Sequence, residues 1–466
     1  MRLIKVIIER SIVLAFCFMC FLQVAAQENS PFSRYGIGDI YPNQNIATRG
    51  MGGVSAAYAN EQALNTVNPA SYSALRYVQL YGGSRGALVT YDIGISIDAR
   101  TLRSTSQAST YKSTNFIPSY IQLGIPLGGK ADLKNRNAGL VFGLRPSTRI
   151  NYSVENIERT SIDSLKTLYE GNGGLNQVFV GLAKRWNNLS IGINGGYEFG
   201  KKDISTKIIF INDTVNYYKS NSENKTTFWG LFFTPGISYN MKLKEVKNVK
   251  GNYNEALFLR LGASATFSHS LKASTDTLRE TFAYSDNTGT TPIDTIHFTA
   301  GERGNVDLPL TYNAGFMFSK KYIASNASVN KWSFGADYTA GQWSDYRFYG
   351  KQDQLLNSWM VHAGGEFIPS VFSTKFWSRS TYRIGFYAGK DYINADGNGY
   401  NMRALTLGFG FNVKRWTSYD NQSTLINTAI EFGKRGSNVN NVTESFFKLS
   451  VGLSLADLWF IRRKYD

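Results

Sequence analysis

Strict alternation between apolar residues and small or polar residues, repeated in many separate segments, is the feature of this sequence that most constrains its fold. Near the C-terminal end, apolar residues occupy every second position, namely Phe447, Leu449, Val451, Leu453 and Leu455, with Lys448, Ser450, Gly452 and Ser454 between them. A period of two is that of a β-strand whose two faces meet different surroundings. The same pattern occurs over residues 257–267 and 405–413. The alternation therefore predicts an all-β protein.

About 14 candidate strands can be counted between residue 75 and the end of the sequence. They lie at roughly 77–98, 114–124, 137–150, 175–185, 188–201, 226–242, 255–269, 308–320, 330–342, 356–368, 380–389, 403–414, 425–434 and 444–455. The longest connections, including 151–174, 202–225 and 270–307, all fall at one end of the strands. Bacterial outer-membrane barrels have an even strand number, short periplasmic turns and long outer loops. We therefore predict a transmembrane antiparallel β-barrel over residues 75–466.

The composition excludes two other classes of protein. Charged residues make up 18% of the chain, which also contains 8 Trp, 28 Tyr and 30 Phe. Disorder requires few aromatic residues, so a disordered chain is excluded. After the first 30 residues the sequence has no run of about 18 uncharged apolar residues, which excludes a polytopic helical membrane protein. A barrel accounts for the mean hydropathy of -0.25, because its strands turn apolar residues to lipid and polar residues inward.

Residues 1–26 have the features of a cleaved signal peptide, so we expect an exported protein of the bacterial outer membrane. Basic residues precede an apolar stretch at 11–22, and small residues stand at 24–26. Both cysteines, Cys17 and Cys20, fall inside this peptide, which leaves no thiol in the mature chain. The residues before Cys20 are not the small ones that a lipid-attachment site needs. Removing three Lys/Arg and one Asp/Glu leaves 47 against 33, a net charge of +14.

Tryptophans stand at several predicted strand ends, and three of them, Trp186, Trp416 and Trp459, have basic neighbours. An amphipathic indole favours the headgroup zone of a membrane. Basic pairs such as Lys184-Arg185 also suit nucleic acid or anionic lipid. We interpret the three tryptophans as interface anchors that contact outer-membrane lipid, and we expect no nucleic-acid partner.

Residues 27–74, between the signal peptide and the first strand, do not alternate and are rich in Gly and Ala. A segment of this kind has few places to bury its apolar groups except the barrel lumen, so it is a candidate plug. It contains a Gly-rich stretch with Gly50, Gly52 and Gly53, and then Asn68-Pro69-Ala70 just before the first strand. In these residues the sequence resembles the FadL/OmpP1/TodX family of outer-membrane transporters for hydrophobic compounds.

The resemblance implies a 14-stranded barrel with an N-terminal hatch, in which Gly50, Gly52, Gly53, Asn68, Pro69 and Ala70 form the gate. It also implies a lateral gap where the third strand kinks, and Arg145-Pro146 follow the third candidate strand here. Proline removes a ladder donor. Two alternatives stay open: Pro146 ends the strand at the rim, or the gap lies at residues 234–236 in the sixth strand. The chain departs from the family in its basic charge, in the 270–307 connection and in the residues after the last strand.

The sequence offers little for catalysis. Its three histidines, His269, His297 and His362, are isolated from one another and from metal-ligand spacings. Residues 394–399 imitate the start of a calcium loop, but Leu405 stands where the bidentate Glu is needed. The sequence contains no nucleophile elbow and no Walker-type phosphate loop. We expect no enzyme activity, no cofactor and no metal.

Two functions follow from these observations. The first is passive uptake of hydrophobic small molecules, fatty-acid or aromatic-like, past the hatch; it predicts an apolar pocket beside the hatch and a gap in the wall. The alternative is a non-transporting barrel subunit of an outer-membrane protein secretion or assembly complex. It predicts a filled lumen and other envelope proteins as partners. The basic pairs beside the tryptophans and the 270–307 connection favour a partner, but the resemblance favours uptake, and uptake is the function that we predict from the sequence.

Overall fold

In the computed structural model the chain forms an antiparallel sheet that closes on itself. The structure describes residues 30–79, 85–104, 110–127, 138–160, 163–211, 218–248, 253–285, 289–324, 327–395, 397–414, 423–437 and 439–460. The strands are β1 (Asp39–Ile40), β2 (Tyr77–Gln79), β3 (Arg85–Ser104), β4 (Thr110–Leu127), β5 (Ala138–Pro146), β6 (Thr148–Arg159), β7 (Ser164–Trp186), β8 (Leu189–Phe210), β9 (Lys219–Asn248), β10 (Tyr253–Thr266), β11 (His269–Ser285), β12 (Gly289–Leu308), β13 (Thr311–Ala324), β14 (Ala327–Gly341), β15 (Arg347–Phe348), β16 (Lys351–Gln352), β17 (Ser358–Phe367), β18 (Thr381–Ala395), β19 (Asn398–Lys414), β20 (Ser423–Arg435) and β21 (Val442–Trp459).

The helices are short. They are α1 (Ile46–Arg49) and α2 (Phe376–Arg379), with 3-10 turns at Pro31–Arg34, Pro69–Ala74 and Trp343–Asp345. Within the described ranges, no helix combines the length and the apolar character needed to cross a membrane.

The barrel wall consists of 14 strands, which confirms the predicted fold class. Eleven wall strands are continuous, and three consist of two consecutive strands each: β5 with β6, β10 with β11, and β12 with β13. The wall closes where β21 pairs with β3 over Val442↔Ser104 to Trp459↔Ala87. Closure pairs the ladder groups that a flat sheet would leave at its edges, which is the condition for a β-structure to span lipid.

The register turns apolar residues to the outside of the wall and polar or small residues to the lumen. On β3, Ile93 is exposed, whereas its neighbours Asp92 and Gly94 are buried. On β7, Val178, Val180 and Leu182 are likewise exposed, while the alternate residues between them are buried. This apolar outer belt is the surface that a bilayer requires, and the protein is an outer-membrane β-barrel.

Three predicted outer loops are wrong, because strands occupy most of their length. Residues 151–174 belong largely to β6 and β7, and residues 202–225 to β8 and β9. Residues 270–307 form the β11–β12 hairpin apart from a few residues at its tip. Beyond the lipid, both faces of a strand meet water, so the alternation that marks a strand is absent there. The ladders nevertheless continue, as in the pairing of Leu165 with Phe210.

The first predicted strand, 77–98, also differs from the structure. Its first residues form β2, which pairs back onto β3 at Tyr77↔Ala87. The wall strand itself begins at Arg85 and extends outward to Ser104. The sequence carries a turn signal, Gly-Gly-Ser at 82–84, which allows this segment to be split, but the alternation on both sides of it led us to predict one strand.

Candidate functional site

The N-terminal segment, which we define as residues 30–75, contacts inward faces of the wall at well-separated points around the barrel. α1 contacts β19, β20 and β21. The 3-10 turn Pro69–Ala74 contacts β5, β7, β8 and β9 on another part of the wall. Large side chains of the segment are fully buried, among them Ile46, Met51, Tyr58, Tyr72 and Leu75. The interface between the segment and the wall is the candidate functional site.

Glycines of the wall allow the backbone of the N-terminal segment to approach the backbone of the wall closely. A Cβ atom on Gly262 would lie 2.0 Å from the carbonyl oxygen of Ala56, and one on Gly364 would lie 2.3 Å from that of Met51. One on Gly385 would lie 2.2 Å from the carbonyl carbon of Met51. Real Cβ atoms do not approach other heavy atoms so closely, so the wall needs glycine at these points. The segment and the wall are matched in shape at the level of the backbone.

Gly50, Gly52 and Gly53, predicted as gate residues, lie together against β17, β18 and β19. Gly52 and Gly53 have φ of 75° and 85°, in the left-handed region that favours glycine. Gly52 N donates to Thr406 Oγ1 at 2.7 Å, and His362 Nδ1 donates to the Gly52 carbonyl at 2.6 Å. Gly50 faces Gly408, where an added Cβ would meet the partner Cα at 2.8 Å.

Asn68, Pro69 and Ala70 lie elsewhere on the wall, against β8 and β9, so the structure does not bring the two gate groups together. Asn68 caps the 3-10 turn by accepting from Ala70 N at 3.0 Å. Its amide also donates to the Ala56 carbonyl at 2.6 Å and to the Ile237 carbonyl at 3.0 Å. Asn68 thus joins two stretches of the segment to the wall.

Carboxylates of the wall receive backbone amides of the segment. Asp337, buried on β14, accepts from Ser55 N and from Ala56 N, the latter at 2.6 Å. Asp92 on β3 accepts from Leu64 N at 3.0 Å. Buried carboxylates need such donors, because an unpaired polar group away from water is costly.

A buried ionic network joins Asp39 of the segment to two arginines of the wall. Arg100 Nη1 lies 2.8 Å from Asp39 Oδ2, and Arg435 Nη1 lies 2.8 Å from Asp39 Oδ1. Arg100 also pairs with Asp98 at 2.8 Å, and Arg435 pairs with Asp391. Burial alone would raise the pKa of Asp39, but the charges of Arg435 and Arg100 outweigh it and hold that pKa well below its usual range.

The third wall strand is interrupted at Ser147, between β5 and β6. β4 pairs with β5 only as far as Ile121↔Leu144, and β6 pairs with β7 instead. In the described chain, residues 110–120 of β4 therefore have a ladder on the β3 side alone. β1 lies at the interruption and pairs with β6 through Asp39↔Arg149 and Ile40↔Thr148.

Side chains of the segment bridge this interruption. Tyr41 N donates to the Ser147 carbonyl at 2.9 Å, and the Tyr41 hydroxyl lies 2.9 Å from Ser119 Oγ on β4. Arg49 donates to Ser96 Oγ at 3.0 Å and lies over the Tyr41 ring. A cavity of about 40 Å³ beside these side chains has Asp39, Arg49, Asp98, Arg100 and Lys448 among its lining residues. That is space for a few water molecules in charged surroundings.

Arg145 and Pro146 lie at the end of β5, directly before the interruption. Pro146 stays in register with β7 opposite Asn176, and the wall strand continues beyond it as β6. Arg145 points inward, donating from Nε to Gln177 Oε1 at 3.0 Å and from Nη1 to Thr66 Oγ1 at 2.8 Å. β9 runs through residues 234–236 without a break.

Two of the three predicted interface anchors lie within the described residues, each at the end of a wall strand. Trp186 ends β7 and is 51% exposed, with the Lys184 ammonium 5.2 Å from its ring centre. Trp459 ends β21 and packs edge-on against Tyr91. Trp416 lies outside the described residues, as do Cys17, Cys20 and the whole predicted signal peptide. In the described ranges no cluster of three His, Cys, Asp or Glu side chains is arranged to hold a metal ion.

Sequence reasoning missed Asp39, Arg100, Asp337 and Arg435. The last three lie in wall strands at positions where the alternation calls for a small or polar residue, and a charge there is the signal that was available. Charged groups facing a lumen need partners, which the pattern does not identify.

Comparison with known proteins gives a family and a fold. A family model described as BamG matches residues 7–466. Three solved structures are similar: a Pseudomonas aeruginosa FadL homologue (TM-score 0.54, 11% identity, 90% of this chain and 99% of that chain covered), the Ralstonia pickettii toluene transporter TbuX (0.50, 12%, 89% and 98%) and the P. putida toluene transporter TodX (0.50, 13%, 90% and 99%). No curated protein matches the sequence. The predicted resemblance to FadL-type barrels is confirmed at the level of the fold.

Proposed function

The chain belongs to the BamG family, and from this premise we propose that it is a non-transporting barrel subunit of an outer-membrane complex for protein secretion or assembly. Residues 1–26 are removed on export, and residues 27–74 remain in the lumen as a permanent plug. The partners are other envelope proteins and the surrounding lipid. This role needs no catalysis and no cofactor.

The single observation that supports a permanent plug is the close backbone packing at the wall glycines. Ala56 against Gly262 and Met51 against Gly364 and Gly385 leave no space for a side chain between the segment and the wall. A segment that slides or swings out must break these contacts together with the buried hydrogen bonds of Asn68 and Asp337. Donors and acceptors of that kind cost about 1–3 kcal/mol each when they stay buried without a partner.

The polarity of the strand interruption also supports a non-transporting role. A hydrophobic substrate leaving sideways would pass between β4 and β6, where Asp39, Arg49 and Arg100 are placed. Small-molecule sites for apolar ligands are lined mainly by apolar side chains. β1 and Tyr41 also occupy the break and make hydrogen bonds to both of its sides.

A disulfide between plug and wall tests the proposal. Ser73 Oγ on the segment lies 2.9 Å from Ser190 Oγ on β8, so the double variant Ser73→Cys/Ser190→Cys is placed to form a bridge. The predicted mature chain has no other cysteine. We expect the oxidised barrel to be retained with the same co-purifying envelope proteins, after gentle solubilisation, as the reduced barrel. Loss of those partners on oxidation would contradict a permanent plug, and a barrel that never carries any partner would contradict a complex subunit.

The matched control is Thr226→Cys/Thr275→Cys, which links two adjacent wall strands. Their Oγ1 atoms also lie 2.9 Å apart, but neither residue belongs to the segment. Both double variants are compared for folding by the gel shift of heated against unheated barrel, so that a folding defect is separated from a lost partner.

Passive uptake of a hydrophobic small molecule is the second candidate, and the interrupted third strand favours it. The similar solved barrels include two named as toluene transporters. On this hypothesis Gly50, Gly52, Gly53 and Asn68-Pro69-Ala70 form a moving gate, and the interruption after Arg145-Pro146 is the exit. Measuring toluene or oleate uptake by cells that carry the Ser73→Cys/Ser190→Cys barrel distinguishes transport from a permanent plug. Uptake that stops on oxidation and returns on reduction, with the Thr226/Thr275 bridge without effect, would establish transport and overturn the permanent plug.

A further inference from the structure

Three cationic side chains face the lumen near one end of the barrel. It is the end at which the first wall strand begins and the last wall strand ends. The cations are Arg185 on β7, Arg260 on β10 and Lys321 on β13. The ladders fix their direction: Arg185 pairs with Ser190, a buried residue that bonds to the N-terminal segment. Arg260 pairs with Met317, which packs in the cluster around Met51 and Tyr58. Paired residues share a face of the sheet, so these cations lie on the inner face.

Among the residues that the structure describes, the three cations have no counterions of their own. The Nε atom of Arg185 is buried without a hydrogen-bond partner. Within the described part of the chain, neither Arg260 nor Lys321 has a hydrogen bond or an ion pair, although Lys321 lies 5.7 Å from the Phe258 ring centre. Their charges repel one another: that of Arg185 acts on Arg260, and those of both arginines act on Lys321.

The carboxylates nearby are already engaged. Glu61 of the N-terminal segment lies 2.6 Å from Arg76 Nε, and Glu366 pairs with Arg383 at 3.1 Å. Both act on Lys321 from a distance. Adding Arg76 and Glu61 to the three cations leaves a local charge of +3. Like charges gathered in a half-buried place are costly without an anion to offset them.

Comparison with the adjacent Lys184 shows that Arg185 is not an interface anchor. Lys184 is exposed on the outer face of the same strand, with its ammonium over the Trp186 ring. That arrangement suits a headgroup-zone anchor. Arg185, one residue further, points to the opposite face and into the lumen mouth. The two consecutive cations therefore have separate roles.

We propose that Arg185, Arg260 and Lys321 form a binding site for a phosphate or diphosphate group at the inner mouth of the lumen. Guanidinium groups match phosphate oxygens in two parallel hydrogen bonds, and a lysine adds a compact charge. A phosphate group offsets part of the local charge of +3, and a diphosphate offsets more of it. The group is supplied either by an anionic lipid of the inner leaflet or by a soluble phosphate compound; the same side chains serve both.

Calorimetric titration of the whole folded barrel in a neutral detergent tests the site, with inorganic pyrophosphate as the soluble probe. Nanodiscs of phosphatidylglycerol or of phosphatidylcholine alone provide the lipid arm, read by the lipids retained in native mass spectrometry. We expect pyrophosphate to bind and to weaken as salt rises, since phosphate contacts are screened by ions. Competition by phosphatidylglycerol identifies a lipid headgroup as the source, and no competition identifies a soluble compound; both outcomes support the site.

The variants Arg185→Gln and Arg260→Gln should each weaken pyrophosphate binding about tenfold or more, because each removes a charged hydrogen bond. Lys184→Gln is the matched control and should change the affinity less than about twofold. The heated-against-unheated gel shift confirms that each variant has folded, and Lys321→Gln gives a third test if one arginine variant fails to fold. Absence of pyrophosphate and phosphatidylglycerol binding, or an equal effect of Lys184→Gln, would overturn the proposal. So would binding of a hexaglutamate peptide alone, which points to an acidic protein partner.

Discussion

Residues 30–49 and residues 50–75 of the N-terminal segment lie in the same lumen but are held there by different means. The first stretch carries charges of its own, and Asp39 and Arg49 bind the wall through ion pairs and charged hydrogen bonds. The second stretch has Glu61 as its single charged residue. It is held by its backbone, which packs on wall glycines and donates to wall carboxylates.

The two attachments depend on different properties, protonation in the first stretch and shape in the second. Ion pairs depend on protonation, so the first stretch should respond to acid. Backbone packing on glycine depends on shape, and a single added methyl group disturbs it whatever the solution conditions. Residues 50–75 are therefore held whatever the pH, whereas the attachment of residues 30–49 changes with pH.

The largest effect is expected from Arg435→Met, which breaks the charge-held half. Arg435 is 4% exposed, and its loss leaves Asp39 and Asp391 with fewer cations in a buried site. Removing one partner of a buried ion pair costs about 3–5 kcal/mol. Urea unfolding in detergent should show this loss, whereas Lys242→Met, which removes an exposed pair with Glu245, should cost less than about 1 kcal/mol. Equal losses for the two variants would contradict the charge-held description.

Gly262→Ala tests the shape-held half. The new methyl group would lie 2.0 Å from the Ala56 carbonyl oxygen, so the segment must shift. We expect a loss of about 1–3 kcal/mol in the free energy of unfolding, which is the usual cost of overpacking. Gly195→Ala is the control, because its nearest neighbour is the Phe233 ring edge at 3.3 Å on the outer face. The shape argument fails if Gly262→Ala is as stable as Gly195→Ala.

Asn45→Ala probes the junction between the two halves. Asn45 accepts from Thr48 N at 2.9 Å to cap α1 and donates to the Leu64 carbonyl at 2.9 Å. Loss of an N-cap costs about 1 kcal/mol. Proteolysis should cut the segment faster in this variant than in Asn43→Ala, whose side chain is exposed. Identical cleavage rates would show that the junction contributes nothing.

Acid should weaken the charge-held half only at low pH. The folded pKa of Asp39 lies below its unfolded value of 3.8, so its contribution is complete above about pH 4 and is lost as the pH falls. At pH 3.5 the expected loss is roughly 0.6 kcal/mol. Unfolding midpoints of the wild type and of Arg435→Met, measured between pH 7 and pH 3, should converge on acidification. Parallel curves would exclude Asp39 as the titrating group.

The sequence predicted the fold better than the site. Alternation on strands such as β21 identified the lipid face, because a lipid-facing position must be apolar in each strand separately. It failed in β11 and β12, where water meets both faces and threonine replaces the apolar residues. The residues predicted to form the gate were identified through the Gly-rich and Asn-Pro-Ala patterns. Their partners were not identified, since Gly408 and Thr406 are ordinary inward positions and Ile237 takes part only through its backbone carbonyl.

Strand period and strand number are local properties, so the sequence alone predicts an outer-membrane barrel of 14 strands preceded by a segment that does not alternate. The contact of Asp39 with Arg435, 396 residues away, and the position of β1 in the interruption of the third wall strand are visible only in the folded barrel. These contacts cross a closed lumen, and which inward residues face each other there depends on closure and on the register of every strand between them.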